Sequence, residues 1–350
     1  MLLTILYFAL ILGVIVFVHE FGHFFFAKLF GIYVYEFSLG MGPKIFSKKG
    51  KNGETVYSLR AIPIGGFCSL AGEGSDEDKK IPKNRLLQSK PVWQRFLVMF
   101  FGAGNNFLLA LIVLFFVGLT SGCPIETAPV VKEVTAESPA EVAGLLPGDI
   151  IKSVNGDTVT NYEDMQIYLY MAKGETEIVV ERDNTDVIIK VTPLTEEEKK
   201  AQDKDYNYGF SCDDKVEYEY GFFKAIKYSF TRFGELVRQM VLTFKGLFTG
   251  GISVKELSGP VGIFSAVDQT KDNGLSNIFG LLALLSLNVG FVNLIPFPAF
   301  DGGRILFLLI EKIKGKPVKA ETENLIHTIG FFLLLALIIF VTINDIIRLT

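Results

Sequence analysis

Leu12-Gly13-Val14-Ile15-Val16-Phe17-Val18-His19-Glu20-Phe21-Gly22-His23-Phe24-Phe25-Phe26 is the stretch that decides the fold. It extends an uncharged run that begins at Met1 and carries it past two histidines and a glutamate. A helix of about 20 apolar residues crosses a bilayer. Ionisable side chains inside such a helix are costly unless they face a polar cavity. The stretch therefore reads as a transmembrane helix with a functional polar cluster near one end. A helix places His19 about 27 Å down the axis from the first residue, near the far edge of the hydrocarbon. The run has no basic start and no small-residue cleavage site, so a retained span is expected rather than a cleaved signal peptide.

Three further stretches are long and uncharged: Phe96 to Thr120, Gly274 to Phe300 and Leu325 to Asn344. The 49% hydrophobic content does not fix the class, but this distribution does. Four transmembrane segments are expected, with soluble material between the second and third. Lys28, Lys44, Lys48, Lys49, Lys51 and Arg60 follow the first segment, and Arg85, Lys90 and Arg95 precede the second. Arg304, Lys312, Lys314, Lys316 and Lys319 follow the third. Basic loops stay in the cytoplasm, so both termini and the stretch from about Gly122 to Asn273 are expected outside. The net charge of −4 carries no nucleic-acid signal, and no nucleic acid is expected as a partner.

Between the spans the pattern changes. Residues 31 to 72 read as β-structure at the membrane surface. Tyr33 to Phe37 is one strand, Gly40-Met41-Gly42-Pro43 a turn, and Thr55 to Pro63 a second strand broken by Gly65-Gly66. Residues 72 to 90 read as a charged loop, including Gly74 and Ser75. Residues 127 to 195 read as a small α/β domain. Its strand is Pro129 to Val134, its capped turn Ser138 to Ala143, and its hairpin turn Asn155-Gly156. A helix over Tyr162 to Met171 and a hairpin about Asp183-Asn184 follow. Residues 196 to 220 read as a charged linker. Gly221 to Phe248 reads as an amphipathic helix, lying on the membrane surface or docked on a partner. Of the three cysteines, Cys123 and Cys212 fall outside and are able to pair or to stay free.

His19 and His23 stand at i and i+4, one helical turn apart on one face, where two imidazoles can grip one Zn²⁺. Glu20 stands beside them, able to take a proton from a water. A catalytic zinc usually takes three protein ligands, so a third is needed from elsewhere. His327 begins the fourth segment without polar neighbours and reads as an interfacial histidine. Asp301 is the better candidate, in Asn293-Leu294-Ile295-Pro296-Phe297-Pro298-Ala299-Phe300-Asp301-Gly302-Gly303. Irregular backbone at membrane depth implies a cavity lining.

His19-Glu20-x-x-His23 together with this Asn-x-x-Pro-x-Pro-x-x-Asp-Gly-Gly stretch resembles the site-2 protease family of intramembrane zinc metalloproteases. Within it the bacterial regulator-of-sigma-E protease type is the nearest likeness. Gly102-Ala103-Gly104-Asn105-Asn106 and Leu257-Ser258-Gly259-Pro260 are similar to further family elements. The 127 to 195 region resembles a PDZ domain, with Gly144-Leu145-Leu146-Pro147-Gly148-Asp149-Ile150-Ile151 its most diagnostic run. Phe300 stands where the family usually has Leu. The chain has room for one PDZ domain where a well-known relative has two, as in Gram-positive members.

The fold implied is a polytopic α-helical membrane protein of four transmembrane segments, with a membrane-associated β-hairpin region and an inserted extracytoplasmic α/β PDZ domain. The expected division is 1–30, first span with the zinc motif; 31–92, cytoplasmic β-hairpin and loop; 93–121, second span; and 127–195, PDZ domain. It continues with 196–273, linker and amphipathic helix; 274–304, third span with the third ligand; 305–324, cytoplasmic loop; and 325–348, fourth span. The resemblance implies Zn²⁺ held by His19, His23 and Asp301, with Glu20 as catalytic base. It implies substrate contacts at Asn288 and Asn293, and at Pro296 and Pro298. The expected activity is regulated intramembrane proteolysis in a bacterial cell membrane, with the zinc site toward the cytoplasm. Expected partners are the lipid bilayer and single-pass membrane substrates such as anti-sigma factors or remnant signal peptides. The strand Val56 to Ile62 is a candidate edge for pairing with substrate, against ordinary hairpin pairing. A zinc-binding scaffold or transporter would use His19 and His23 without Glu20, and a PDZ-based adaptor would need none of the three.

Overall fold

The computed structural model describes residues 1–73, 76–125, 128–213 and 217–349. Gly74 and Ser75 of the charged loop, and Thr127 at the expected start of the small domain, lie outside the described residues. Helix α1 spans Leu2–Leu29, strands β1 and β2 span Val34–Lys49 and Val56–Leu70, and α2 spans Val92–Ser121. Next come β3 (Cys123–Pro124), β4 (Val131–Val134), α3 (Pro139–Val142), β5 (Ile150–Val154), β6 (Asp157–Thr158) and α4 (Tyr162–Met171). They are followed by β7 (Thr176–Arg182), β8 (Thr185–Val191), α5 (Glu196–Gln202), β9 (Phe210–Cys212) and β10 (Tyr218–Glu219). The last five helices are α6 (Phe222–Thr249), α7 (Pro260–Thr270), α8 (Leu275–Leu294), α9 (Asp301–Lys314) and α10 (Ala320–Leu349). Among the described residues, four helices are long and apolar enough to cross a membrane: α1, α2, α8 and Glu321–Arg348 of α10. The chain divides into two compact units.

The first unit takes Met1–Ser121, Ala225–Leu236 and Leu257–Thr350. Buried Ile11, Ile15, Gly22, His23 and Ala27 recur down α1 at helical spacing. They form a stripe that α2 covers with Val98, Met99, Gly102, Ala103, Asn106 and Ala110. A Cβ on Gly22 would lie 1.9 Å from the Phe101 carbonyl oxygen, so the two backbones touch there. Lipid is as apolar as leucine, so helices in a bilayer associate through such close packing of small residues.

β1 and β2 run further than the sequence suggests. The expected turn at Gly40 to Pro43 and the expected break at Gly65-Gly66 both fall inside strands. Gly40 and Gly65 adopt φ +79° and +81° at register shifts, so they bend the ladder without ending it. Glu36 to Leu39 pair on one side with Ser69 to Gly66 in falling register. On the other side they pair with Val56 to Leu59 in rising register. Val56 to Leu59 also pair with Lys49 to Phe46, so this segment has partners on both sides and offers no free edge to a substrate. The expectation of strand addition along Val56 to Ile62 is corrected for Val56 to Leu59.

The third span ends at Leu294, short of the expected 304. Proline disfavours α conformation in the residue before it, and Ile295 before Pro296 is extended, at φ −60° and ψ +134°. The chain becomes helical again only at Asp301, and α9 occupies much of the expected 305–324 loop.

The second unit takes Gly122–Lys224 and Val237–Glu256. Thr176, Ile178 and Val180 alternate inward along β7, within a sheet of order β6-β5-β7-β8. They meet Val131, Leu145, Ile151, Val154, Met165, Ile189 and Val191 in one core. Ser138 caps α3 by accepting the Glu141 N–H, and α4 matches the expected helix. The expected 196–220 linker is corrected: it holds α5 and β9, and β9 pairs with β4 and adds Cys212 to the core. Cys123 and Cys212 are not joined to each other in a disulfide. Burial pushes the Cys212 thiol up to about 11, which suits an inert core residue. Residues 237–249 of α6 pack on this unit. Arg238 reaches both oxygens of buried Asp164 at 2.5 and 2.6 Å, and Gln239 donates to Glu163 at 2.5 Å. Here the amphipathic helix docks on its own chain.

Asp149, from the diagnostic run, is 1% exposed and takes two bonds from Arg182, both at 2.7 Å. Burial pushes its carboxyl up, but Arg182 and the Leu146 N–H outweigh burial and hold it below the usual carboxylate range. A carboxyl depressed in the folded state stabilises above its unfolded value of about 3.9 and loses that contribution as pH falls below it. Protection of the β7 amides from hydrogen exchange, corrected for intrinsic rates, is expected to decline below about pH 4. Arg182→Leu should flatten this decline, and an unchanged profile in that variant would contradict the account.

Candidate metal centre

His19 and His23 stack as consecutive turns of α1, their rings 5.0 Å apart and nearly perpendicular. Asp301 is the first residue of α9, brought beside them by the bend after α8. His19 Nε2 and His23 Nε2 each lie 3.3 Å from Asp301 Oδ2, and 3.4 Å from each other. Asp301 Oδ2 is buried and accepts no hydrogen bond. The alternative role of Asp301 as a helix cap is not what its side chain does, since α9 has no side-chain cap bond. Among the described residues these three are the group of His, Cys, Asp or Glu arranged to hold a metal.

The triangle has a chemical meaning. Three acceptor atoms converge in a buried place with no donor between them, which is unfavourable unless a cation lies there. Ligand atoms at about 2.0–2.1 Å from a tetrahedral ion stand about 3.3–3.4 Å apart. The observed edges match that spacing, and two imidazoles with one carboxylate suit Zn²⁺. The residues fit the ion.

Neighbours set the ligands' orientation. His23 Nδ1 lies 2.8 Å from the Val98 carbonyl, so Nδ1 carries the proton and Nε2 keeps its lone pair for a metal. His19 Nδ1 faces the Asn106 side chain at 3.4 Å. Asn106 is fully buried, and its Oδ1 has no partner. Turning that amide puts Oδ1 on His19 Nδ1–H and leaves His19 Nε2 as the ligand atom. Ser286 of α8 holds the Asn106 carbonyl at 2.9 Å. A Cβ on Gly102 would lie 2.4 Å from His23 Nε2, so α2 presents bare backbone to the site. Asn106 and Gly102 fall in a run singled out only for its family likeness. Their roles leave one trace in the sequence, a polar amide one turn from a glycine in an apolar span.

Glu20 faces β2. Its carboxyl lies near the Cys68 backbone, and a Cβ on Gly66 would lie 3.4 Å from its Cγ. The remaining expected residues are more dispersed. Asn293 donates to the Val289 carbonyl of its own helix at 2.9 Å. Asn288 is half-buried on α8, and Pro296 is exposed. Pro298 backs onto Gly330 of α10, where a Cβ would lie 2.4 Å from the proline Cβ. His327, expected to lack polar neighbours, has one: its Nδ1 accepts the Ala299 N–H at 3.1 Å, two residues before Asp301.

The profile of peptidase family M50 matches residues 7–337 of this chain. The chain is 34% identical to the regulator of sigma-W protease RasP of Bacillus subtilis, over 99% of both chains. It is also 34% identical to the zinc metalloprotease RasP of Bacillus licheniformis, again over 99% of both. A putative zinc metalloprotease of Clostridium acetobutylicum is 35% identical over 96% of this chain and 95% of its own length.

Proposed function

The chain belongs to peptidase family M50, and from that membership we propose that it is a zinc metalloprotease that cleaves membrane-spanning segments of single-pass proteins. The convergence of His19 Nε2, His23 Nε2 and Asp301 Oδ2 into one metal-sized triangle carries this reading. These three residues would hold the ion. Bound there, zinc supplies Lewis-acid polarisation of a water and of the scissile carbonyl.

The rest falls to the chain's own groups. Glu20 takes a proton from the attacking water and delivers it to the nitrogen of the leaving amine. The Val98 carbonyl holds the His23 ring in one tautomer. A substrate helix hides its carbonyls in its own hydrogen bonds, so cleavage needs local unwinding and new backbone partners. Asn288 and Asn293 are proposed to supply some, the latter by releasing the Val289 carbonyl. The pairing edge moves from Val56–Ile62 to Gly66–Ser69, the strand segment beside Glu20. The substrates proposed are anti-sigma factors or remnant signal peptides, in a bacterial cell membrane with the zinc site toward the cytoplasm. The second unit's sheets, β4 with β9 and β5 to β8, are proposed as a single extracytoplasmic PDZ domain that filters substrates.

Stripping the purified chain of metal with a chelator is expected to abolish cleavage of a single-pass substrate. One equivalent of zinc per chain should restore it. Full cleavage by metal-free protein would overturn the reading.

A further inference from the structure

Asp301 follows directly on the connection between α8 and α9. The six residues from Ile295 to Phe300 join α8 to α9, and their path sets where the Asp301 side chain stands. Ala299 in this loop has φ +86°. An L-residue avoids that region, and such a conformation persists only where its surroundings hold it.

Two contacts from α10 hold it. His327 Nδ1 accepts the Ala299 N–H at 3.1 Å. Three residues on, and on the same helical face, Gly330 lies against Pro298, where a Cβ would fall 2.5 Å from the proline carbonyl oxygen. From the other side α9 closes on the same loop. A Cβ on Gly302 would lie 2.2 Å from the Ile295 oxygen, and one on Gly303 would lie 2.5 Å from the Phe297 oxygen. The loop is gripped between the two helices, with Asp301 at the junction. Accepting at Nδ1 fixes the His327 proton on Nε2, which is buried with no partner. An apolar side chain would avoid that unmet donor, so the ring's place is accounted for by its one bond to Ala299.

We infer that His327 is a positioning residue that fixes the Asp301 ligand by capturing the Ala299 N–H. It makes the last helix part of the metal centre without contributing a ligand. The inference rests on the reading of Asp301 as a zinc ligand. It predicts an effect on zinc affinity itself, before any substrate is added.

The test is a competitive chelator titration of zinc on the full-length chain in micelles, for wild type, His327→Leu, His327→Asn, Gly330→Ala and Asp301→Ala. Asparagine presents an acceptor where Nδ1 stands, and leucine does not. His327→Leu and Gly330→Ala are each expected to weaken zinc about tenfold, the lower end of what losing a ligand's outer support costs, and His327→Asn about threefold or less. Wild-type affinity in His327→Leu, or an equal loss in both His327 variants, overturns the inference. Should His327→Leu not be recovered folded, wild-type affinity in Gly330→Ala does so. Asp301→Ala separates the two levels. If it keeps its zinc, the ligand reading has failed. If it loses zinc while the α10 variants do not, only the positioning role has failed.

Discussion

Glu20→Gln is expected to cut cleavage of a single-pass substrate about 10³-fold while zinc content stays at the wild-type level, since a positioned general base typically contributes 10²–10⁴-fold. The two halves of this expectation rest on different observations. Glu20 is not among the three converging ligands, so the amide variant leaves the triangle intact. It keeps the shape of the side chain beside Gly66 and Cys68 but cannot take up a proton. Rate and metal content can be read on one preparation, from a labelled transmembrane peptide and from elemental analysis. Cleavage within tenfold of wild type would remove Glu20 from the mechanism. It would also favour a zinc-binding scaffold, which needs the histidines alone. In cells, membrane peptides that accumulate only with Glu20→Gln would name the natural substrates.

What the sequence revealed follows from how each feature is encoded. Helix periodicity is rigid, so His19 and His23 could be put on one face from their spacing alone. Pro296 and Pro298 announced a broken helix before Asp301, because proline leaves little choice to the backbone before it. Glycine is more ambiguous. Gly40 and Gly65 look like turn signals, yet each sits in a bulge, and the strands run on to Lys49 and Leu70. Partners on both sides of Val56 to Leu59 depend on that bending and could not be read from a hairpin pattern. β9 is three residues long, too short for an alternation to show, so the expected end of the small domain at residue 195 falls before its last core strand. The polar neighbour of His327 is hidden for a different reason. It is a backbone N–H, and backbone groups leave no mark in a sequence.

Gly102 is the most consequential residue without a side chain, and Gly102→Ala should disable the site. The added methyl would lie 2.4 Å from His23 Nε2, 2.5 Å from His23 Cε1 and 2.9 Å from Asp301 Oδ2. Neither ligand has room to yield. His23 is tied to the Val98 carbonyl of α2, the helix that carries Gly102, and Asp301 to the end of a gripped loop. Backbone retreat is also blocked, because α1 and α2 already touch at Gly22 and Phe101. The methyl therefore takes the space of the ligand atoms, and zinc affinity should fall about 100-fold, the upper end for a perturbed ligand shell. Gly104→Ala is the control. It is the same change two residues along the same helix, and the nearest atoms to its methyl would be the rims of Phe101 and Phe100, at 3.2 and 3.3 Å. That variant should bind zinc and cleave like the wild type. Chelator competition on the two variants side by side separates the site from the helix. Equal losses would mean that α2 tolerates no methyl here for packing reasons alone. Equal retention would mean that the ligands do not converge where α2 leaves this gap.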